Sequence, residues 1–175
     1  MGFDLSGCNP KINEELDDTT IYGMIESIQE WEEQQKLLEA LDDHERHIYW
    51  KQYEMHHKDN PGLYFRNSVW WWRPLWNYVC HVCDDILSDK DMKAGDYNDH
   101  RKITKTKAIK ISKRLNNLIE EGIVSKYEQH FMDEQEKASK SDDKDTQFFS
   151  QYPFSEENVK KFALFCKESG GFRIC

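Results

Sequence analysis

The sequence predicts an α+β fold, predominantly helical, in which a small terminal β-sheet of N- and C-terminal strands packs with several helices. Apolar residues recur at helical spacing in four separate stretches of the chain. Short segments with strand character stand at both ends, at residues 2–5 and 172–175. Residues 14–59 hold 14 acidic and 4 basic side chains, which marks an acidic helical insertion. The length of 175 residues fits a single domain, 1–175.

The first elements follow from local signals. A Gly/Asn/Pro turn at residues 7–10 ends the first strand, and Thr20 offers a helix N-cap. The apolar positions of the insertion then follow helical spacing: Ile21, Met24, Ile25, Ile28, Trp31, Leu38, Leu41, Ile48, Tyr49 and Tyr53. A break at residues 42–43 gives either a helical hairpin or one long bent helix, which ends at Asn60-Pro61-Gly62.

The middle of the chain is rich in aromatic residues. Residues 63–69 are predicted to be extended, and Pro74 suits the first turn of the helix that follows. The buried stripe of this helix is Trp76, Val79, Cys80, Cys83, Ile86 and Leu87. Residues 89–100 are predicted to form a polar loop around Gly95.

The last third of the chain predicts three further helices. The first spans residues 104–121, buries Ala108, Ile111, Leu115, Leu118 and Ile119, and ends at Gly122. The second spans 124–137, and a flexible loop follows at 138–149. Ser155 caps the third, whose inward residues are Val159, Phe162, Ala163 and Cys166. We expect the strand at 172–175 to pair with residues 2–5.

Charge and cysteine usage predict the setting of the protein. The net charge is −9, and no stretch reaches the roughly 18 to 20 apolar residues of a membrane span. The first residues lack the basic and apolar regions of a signal peptide, and the five cysteines are an odd number. We therefore expect reduced thiols, a cytoplasmic location and no membrane partner.

The tryptophan-rich segment 64–76 is the predicted ligand site. On an extended strand, Trp70 and Trp72 would face one way and Trp71 the other, so one core would not bury all three. Indole faces beside guanidinium groups suit a base or a phosphorylated ligand. The predicted ligand-binding residues are Arg66, Asn67, Trp70, Trp71, Trp72 and Arg73. The alternative is that the tryptophans fill the core and the arginines stack on them.

A run of cations in the 104–121 helix is the second candidate site, for an anion or a partner. Lys107, Lys110, Lys113 and Arg114 fall opposite the apolar stripe, and several cations lie in the first half of the helix. That distribution opposes the helix dipole, so helix stability does not explain it. The run could dock the acidic segment, another copy or a polyanion, or remain a solvated face. The acidic segment would repel phosphates, which argues against nucleic acid.

Other motifs carry weaker signals. Cys80 and Cys83 resemble half of a zinc site, but buried thiols on a helix are the better interpretation. His44 and His47 have metal-ligand spacing without a second cluster. The chain has no nucleophile elbow, P-loop, dinucleotide fingerprint or HExxH motif. The sequence therefore favours a binding protein over an enzyme, and it predicts no metal and no cofactor.

Several motifs together resemble a group of small bacteriophage and bacterial proteins that are usually labelled hypothetical. The motifs are Met1-Gly2-Phe3-Asp4, Asn9-Pro10-Lys11, Tyr64-Phe65-Arg66-Asn67, Trp70-Trp71-Trp72-Arg73-Pro74-Leu75-Trp76, Tyr152-Pro153-Phe154-Ser155 and Ser169-Gly170-Gly171-Phe172. The resemblance covers the body of the chain and is vague over the acidic segment. Similar proteins often carry a Cys-x-x-Cys-rich loop where residues 139–149 have no cysteine. The resemblance implies a phage or prophage setting, with the host cytoplasm as location, and no mechanism.

Two functions follow as hypotheses. The first is a phage-type accessory protein that sequesters a nucleotide-derived signal or another small anionic ligand to counter host defence. The alternative is an acidic protein–protein interaction module that inhibits or adapts a host protein. Opposite charge blocks on one chain also permit contacts between copies, as in a homo-oligomer.

Overall fold

The computed structural model describes residues 2–97 and 100–175, and these form an α+β fold that is mostly helical, as predicted. The chain divides into two compact units. The first, residues 1–11 and 62–175, is called the sheet unit, and the second, Ile12–Pro61, the acidic unit. The elements in chain order are β1 (Gly2–Gly7), α1 (Ile21–Glu26), α2 (Trp31–Ala40), α3 (Asp43–Asp59), β2 (Tyr64–Ser68), α4 (Val69–Val82), α5 (Asp89–Tyr97), β3 (Lys102–Ile103), α6 (Lys105–Glu120), α7 (Ile123–Ser139), α8 (Lys144–Phe149), α9 (Glu156–Glu168) and β4 (Phe172–Ile174).

The antiparallel sheet has the strand order β2-β1-β4-β3. Leu5 pairs with Ile174, so the strands near the two ends of the chain are neighbours, which confirms the predicted pairing. The pairing extends to Asp4 and Cys175, whose backbones exchange hydrogen bonds of 3.1 and 2.7 Å. The sequence did not predict β3, whose two residues are too few for a period-2 pattern.

The tryptophans at 70–72 lie on a helix, which corrects the prediction of an extended segment through Trp72. The extended segment ends at Ser68, and α4 begins at Val69, so Pro74 is its sixth residue rather than part of its first turn. A proline there cannot donate to the Trp70 carbonyl. With this earlier start, one face of α4 buries four side chains, those of Trp72, Leu75, Trp76 and Val79. The predicted alternation of Trp70 and Trp72 against Trp71 is therefore wrong.

Trp72 and Trp76 form the centre of the core. They are four residues apart on α4, and their rings stack with centroids 5.1 Å apart. Each indole N–H donates to a backbone carbonyl of α5, Trp72 to Gly95 at 2.7 Å and Trp76 to Met92 at 2.8 Å. The predicted polar loop at 89–100 is therefore wrong for residues 89–97, which form this helix. Residues 98–99 lie outside the described part of the chain.

The helices after β3 largely follow the prediction. Thr104 caps α6, Gly122 follows it with φ of +67°, and Ser155 caps α9. The predicted inward residues of α9 are all buried. The segment 138–149, predicted as a loop, instead contains the end of α7 and the short helix α8. Asp143 caps α8 by accepting from the Thr146 N–H at 2.8 Å, a local signal that the prediction overlooked.

The acidic unit contains three helices, so neither the bent helix nor the hairpin describes it. Thr20 caps α1 as predicted, and Asp42 with Glu45 forms a capping box that begins α3. The break at residues 27–30 was missed because apolar spacing runs through it. The buried apolar side chains of this unit are Tyr22, Ile25 and Tyr49.

No helix among the described residues has the length and apolar character required to cross a membrane.

Candidate functional site

The three consecutive tryptophans of α4 occupy three different environments. Trp72 is fully buried, and its indole N–H donates to the Gly95 carbonyl, so its side chain cannot contact a ligand. Trp72 is therefore not a ligand-binding residue, contrary to the prediction. Trp70 is half-buried against Tyr152, with ring centroids 4.6 Å apart. Trp71 remains 39% exposed. Successive helical residues point about 100° apart, so a helix that buries Trp72 turns Trp71 outward.

Trp71 lines a surface groove of about 470 Å³ between β2, α4 and the start of α9. We call this the Trp71 groove. Its lining contains three of the predicted ligand residues, Arg66, Asn67 and Trp71, with Lys161 as a second cation. The remaining lining residues are Tyr64, Phe65, Ser155, Glu157 and Asn158. The volume falls within the range of about 300 to 1,000 Å³ that is usual for small-molecule sites.

The cations of the Trp71 groove each have a weak carboxylate partner. Arg66 Nε lies 3.4 Å from Asp4 Oδ1, and Lys161 Nζ lies 3.6 Å from Glu157 Oε1. The side chains of Arg66, Glu157 and Lys161 are about two-thirds exposed, and that of Asp4 is 37% exposed. Exposed ion pairs contribute about 0 to 1 kcal/mol. An incoming anion can therefore compete for both cations at small cost.

A pair of amide side chains in the lining joins the strand to the helix. Asn67 Nδ2 donates to Asn158 Oδ1 at 3.1 Å, which holds β2 against the first turn of α9. The Ser155 hydroxyl accepts from the Asn158 N–H at 3.2 Å and so serves as the cap of α9. Asn side chains both donate and accept hydrogen bonds, the property used to bind the edges of bases.

Arg73 lines a separate cleft of about 260 Å³, so the predicted Arg66–Arg73 pair does not share one cavity. Its other lining residues are Pro74, Asn77, Tyr127, Phe131, Gln135, Phe149 and Tyr152. A third depression, of about 480 Å³, shares Trp71 with the Trp71 groove and Tyr152 with the Arg73 cleft. Four of the six predicted ligand residues, Arg66, Asn67, Trp71 and Arg73, thus border three adjoining hollows, whereas Trp70 and Trp72 line none of the three.

The sequence reasoning missed Lys161 and Asn158. A signal was present, because Asn158 follows the cap Ser155 by three residues and Lys161 follows it by six, both outside the apolar stripe of Val159 and Phe162. What the sequence could not indicate was that this face of α9 meets β2.

The basic run of α6 is partly engaged within the sheet unit. Lys107 forms an ion pair with the buried Asp91, and Arg114 Nη2 lies 2.9 Å from Asp85 Oδ2. Arg114 also donates to the Val82 carbonyl. The pair with Asp91 provides a tertiary reason for a cation in the first turn of α6. Of the four cations that we expected on the exposed face opposite the apolar stripe, Lys110 and Lys113 are exposed, whereas Lys107 and Arg114 are only partly exposed.

The carboxylates that meet this run have lowered pKa values. Burial alone would raise the pKa of Asp91, but hydrogen bonds from Lys107, Ser88 and Arg101 outweigh it and leave the pKa well below its ordinary range. A hydrogen bond from Arg114 lowers the pKa of Asp85. Both side chains therefore carry charge at neutral pH and hold the two cations in place.

The cysteine and histidine candidates do not form a site. Burial raises the pKa of both Cys80 and Cys83 to about 12, so both thiols are protonated at neutral pH and lack the thiolate form that acts as a nucleophile. His44 and His47 are exposed on α3. Within residues 2–97 and 100–175, no three His, Cys, Asp or Glu side chains are grouped closely enough to hold a metal ion.

No family model, curated protein or solved structure matches this chain. The functional conclusion therefore depends on the geometry of the Trp71 groove.

Proposed function

We propose that this protein binds a small anionic ligand with a planar ring, of the nucleotide class, in the Trp71 groove. The observation that carries the proposal is the position of Trp71. The same helix buries Trp72 and Trp76 completely, yet leaves Trp71 39% exposed in a concave site beside Arg66 and Lys161. A large aromatic surface exposed beside two cations is typical of a stacking site for a base with its phosphate.

The groove offers a separate interaction for each part of such a ligand. Stacking of a base on Trp71 would contribute about 1 to 3 kcal/mol. Arg66 can donate hydrogen bonds to two phosphate oxygens through its planar fork, while Lys161 supplies a point charge. The Asn67–Asn158 pair presents amide groups suited to the ring edge.

Binding rather than turnover is favoured by the partners of the polar groups in the groove. The Ser155 hydroxyl is occupied as the cap of α9, and Glu157 is paired with Lys161. Neither arrangement provides a nucleophile beside a base. The resemblance of the sequence to bacteriophage proteins extends the proposal: the bound ligand is a nucleotide-derived signal of host defence, which the protein sequesters.

A thermal-shift screen with nucleoside mono-, di- and triphosphates and cyclic dinucleotides tests the proposal. A ligand at about 100 times its dissociation constant adds about 2.7 kcal/mol of apparent stability. For a chain of this size, that raises the midpoint of unfolding by roughly 5 to 10 °C.

The matched variants are Trp71→Ala and Trp31→Ala. Trp31 is 69% exposed in the acidic unit, so its removal should leave the response unchanged, whereas Trp71→Ala should abolish it. The proposal fails if no nucleotide raises the midpoint, or if the two variants respond equally. Circular dichroism of Trp71→Ala confirms that the lost response is not a lost fold.

A further inference from the structure

The acidic unit buries few of its apolar side chains. Tyr22, Ile25 and Tyr49 form its buried core, with Leu16, Ile21, Leu38, Leu41 and Tyr53 partly buried around them. Helix α2 has no buried residue along its ten positions. Six large apolar side chains of the unit are between 42% and 69% exposed: Ile12, Met24, Trp31, Leu37, Trp50 and Met55. An exposed apolar patch is typical of an interaction surface where its side chains are contiguous.

Part of that exposed surface is concave. A groove of about 370 Å³ lies between α1, α2 and the start of α3. We call it the apolar groove. Every lining side chain except Glu45 is apolar, and the large side chains of Met24 and Leu37 are exposed, at 52% and 42%. The other lining residues are Ile21, Ile25, Ile28, Ala40 and Leu41.

The chain around the apolar groove is strongly acidic. Residues 21–45, which form the groove, contain eight Asp or Glu residues and a single Lys. Glu45 itself lines the groove. The unit as a whole has a net charge of −10, because 14 acidic residues oppose 4 basic ones in residues 12–61. An apolar floor with an acidic surround is complementary to a helix that has one apolar stripe and basic flanks.

We infer that the apolar groove docks a basic amphipathic helix of a partner protein. Leucine-type side chains at i, i+3, i+4 and i+7 would enter the groove beside Met24 and Leu37. Lysine or arginine on the flanks would face the acidic residues. The basic helix α6 of a second copy does not fit this description, because Ala108, Ile111 and Leu115 of its apolar face are already buried. Anionic lipid is disfavoured by charge repulsion.

The test is fluorescence anisotropy with the full-length protein and a labelled 18-residue helix of leucine and lysine. A scrambled peptide of the same composition keeps the charge and loses the apolar stripe. The amphipathic peptide should bind at least tenfold more tightly than the scrambled one. Its affinity should fall several-fold between 0.1 and 0.5 M salt, because salt screens the acidic surround.

Variants identify the groove. Met24→Ser combined with Leu37→Ser should weaken binding at least tenfold, whereas Met55→Ser should not. Met55 is a matched control because it is 56% exposed in the same unit and does not line the apolar groove. A measurement on the wild-type protein removes any dependence on the folding of the variant. With 13C-methyl methionine, the peptide should shift the Met24 resonance and leave those of Met55 and Met132 in place.

Several results would overturn the inference. Equal affinity for the two peptides would mean that binding depends on net charge alone. A Met24 resonance that does not shift would mean that the peptide binds outside the apolar groove. Dimerisation in sedimentation that Leu37→Ser abolishes would assign the groove to a second copy. Binding to phosphatidylserine vesicles through Leu37 would assign it to a membrane surface. None of these results involves Trp71, so they leave the ligand proposal unaffected.

Discussion

Replacing Asp91 by Asn removes the charge that joins α5 to α6 and to the segment before β3. The Asp91 side chain is 2% exposed, and its Oδ1 accepts from Arg101 Nε at 3.0 Å. Its Oδ2 accepts from the Ser88 hydroxyl at 2.7 Å and from Lys107. Because α5 also supplies the carbonyls that bond Trp72 and Trp76, loosening Asp91 should loosen the centre of the core.

The magnitude follows from the burial of the partners. Removing one member of a fully buried ion pair costs about 3 to 5 kcal/mol, because the other charge stays buried and unpaired. Here the cations can regain water, since the side chains of Arg101 and Lys107 are 41% and 31% exposed. We therefore expect Asp91→Asn to lower the free energy of unfolding by about 2 to 3 kcal/mol at pH 7. Asp85→Asn is the control, because its pair with Arg114 is exposed and should contribute much less.

The pH dependence provides a second test. The pKa of Asp91 is lowered in the folded state, so its contribution is complete above the unfolded pKa of about 3.9 and is lost as pH falls through the folded pKa. The difference between wild type and Asp91→Asn should therefore narrow below about pH 4. Urea unfolding of both proteins, followed by tryptophan fluorescence at pH 7 and pH 3, measures this difference in the free energy of unfolding. A loss under about 1 kcal/mol at pH 7, or an undiminished difference at pH 3, would refute the reasoning.

Two further predictions concern buried contacts. Asn60 is fully buried in the acidic unit, and its side chain forms hydrogen bonds with the backbone of residues 13–14. Asn60→Ala should therefore lower the free energy of unfolding by about 2 to 4 kcal/mol and speed amide hydrogen exchange at residues 13–14. Unchanged amide exchange there would contradict this prediction. A Cβ at Gly95 would lie 2.0 Å from Nε1 of Trp76, so Gly95→Ala should lower stability by about 2 to 4 kcal/mol in thermal unfolding. Gly122→Ala meets no atom within 4 Å and should cost only about 1 to 2 kcal/mol through its positive φ; equal losses would disprove the clash.

The predictable parts of the fold are those with local causes. Thr20, Thr104 and Ser155 each cap a helix because a side-chain oxygen bonds a backbone N–H three residues later. Pairing of the strands near the two ends followed from their composition and from the glycines that end α9. Among the missed elements, helix α8 has a local cap at Asp143 that the prediction overlooked, whereas helix α5 has distant partners. Helix α5 is tied to the core by the indoles of Trp72 and Trp76 and by the cations that meet Asp91.

The candidate site was only partly predictable for the same reason. The sequence selected Arg66, Asn67 and Trp71, which line one groove, but also Trp72, which the phase of α4 turns into the core. Which side chains of α4 face the core could be predicted only from a correct start of the helix. Pro74 led to a predicted start that is later than the observed one at Val69. Lys161 enters the groove through the packing of α9 against β2, which no local pattern encodes.

The most direct test of the central claim is a titration of 15N-labelled protein with a nucleoside triphosphate and a cyclic dinucleotide, read at the six indole N–H resonances. Trp71→Phe assigns the resonance of Trp71. If the Trp71 groove binds the ligand, the Trp71 resonance moves most, while Trp31 and Trp50 of the acidic unit stay in place. If no indole resonance moves with either ligand, or if only those of Trp31 and Trp50 move, the Trp71 groove is not a nucleotide site.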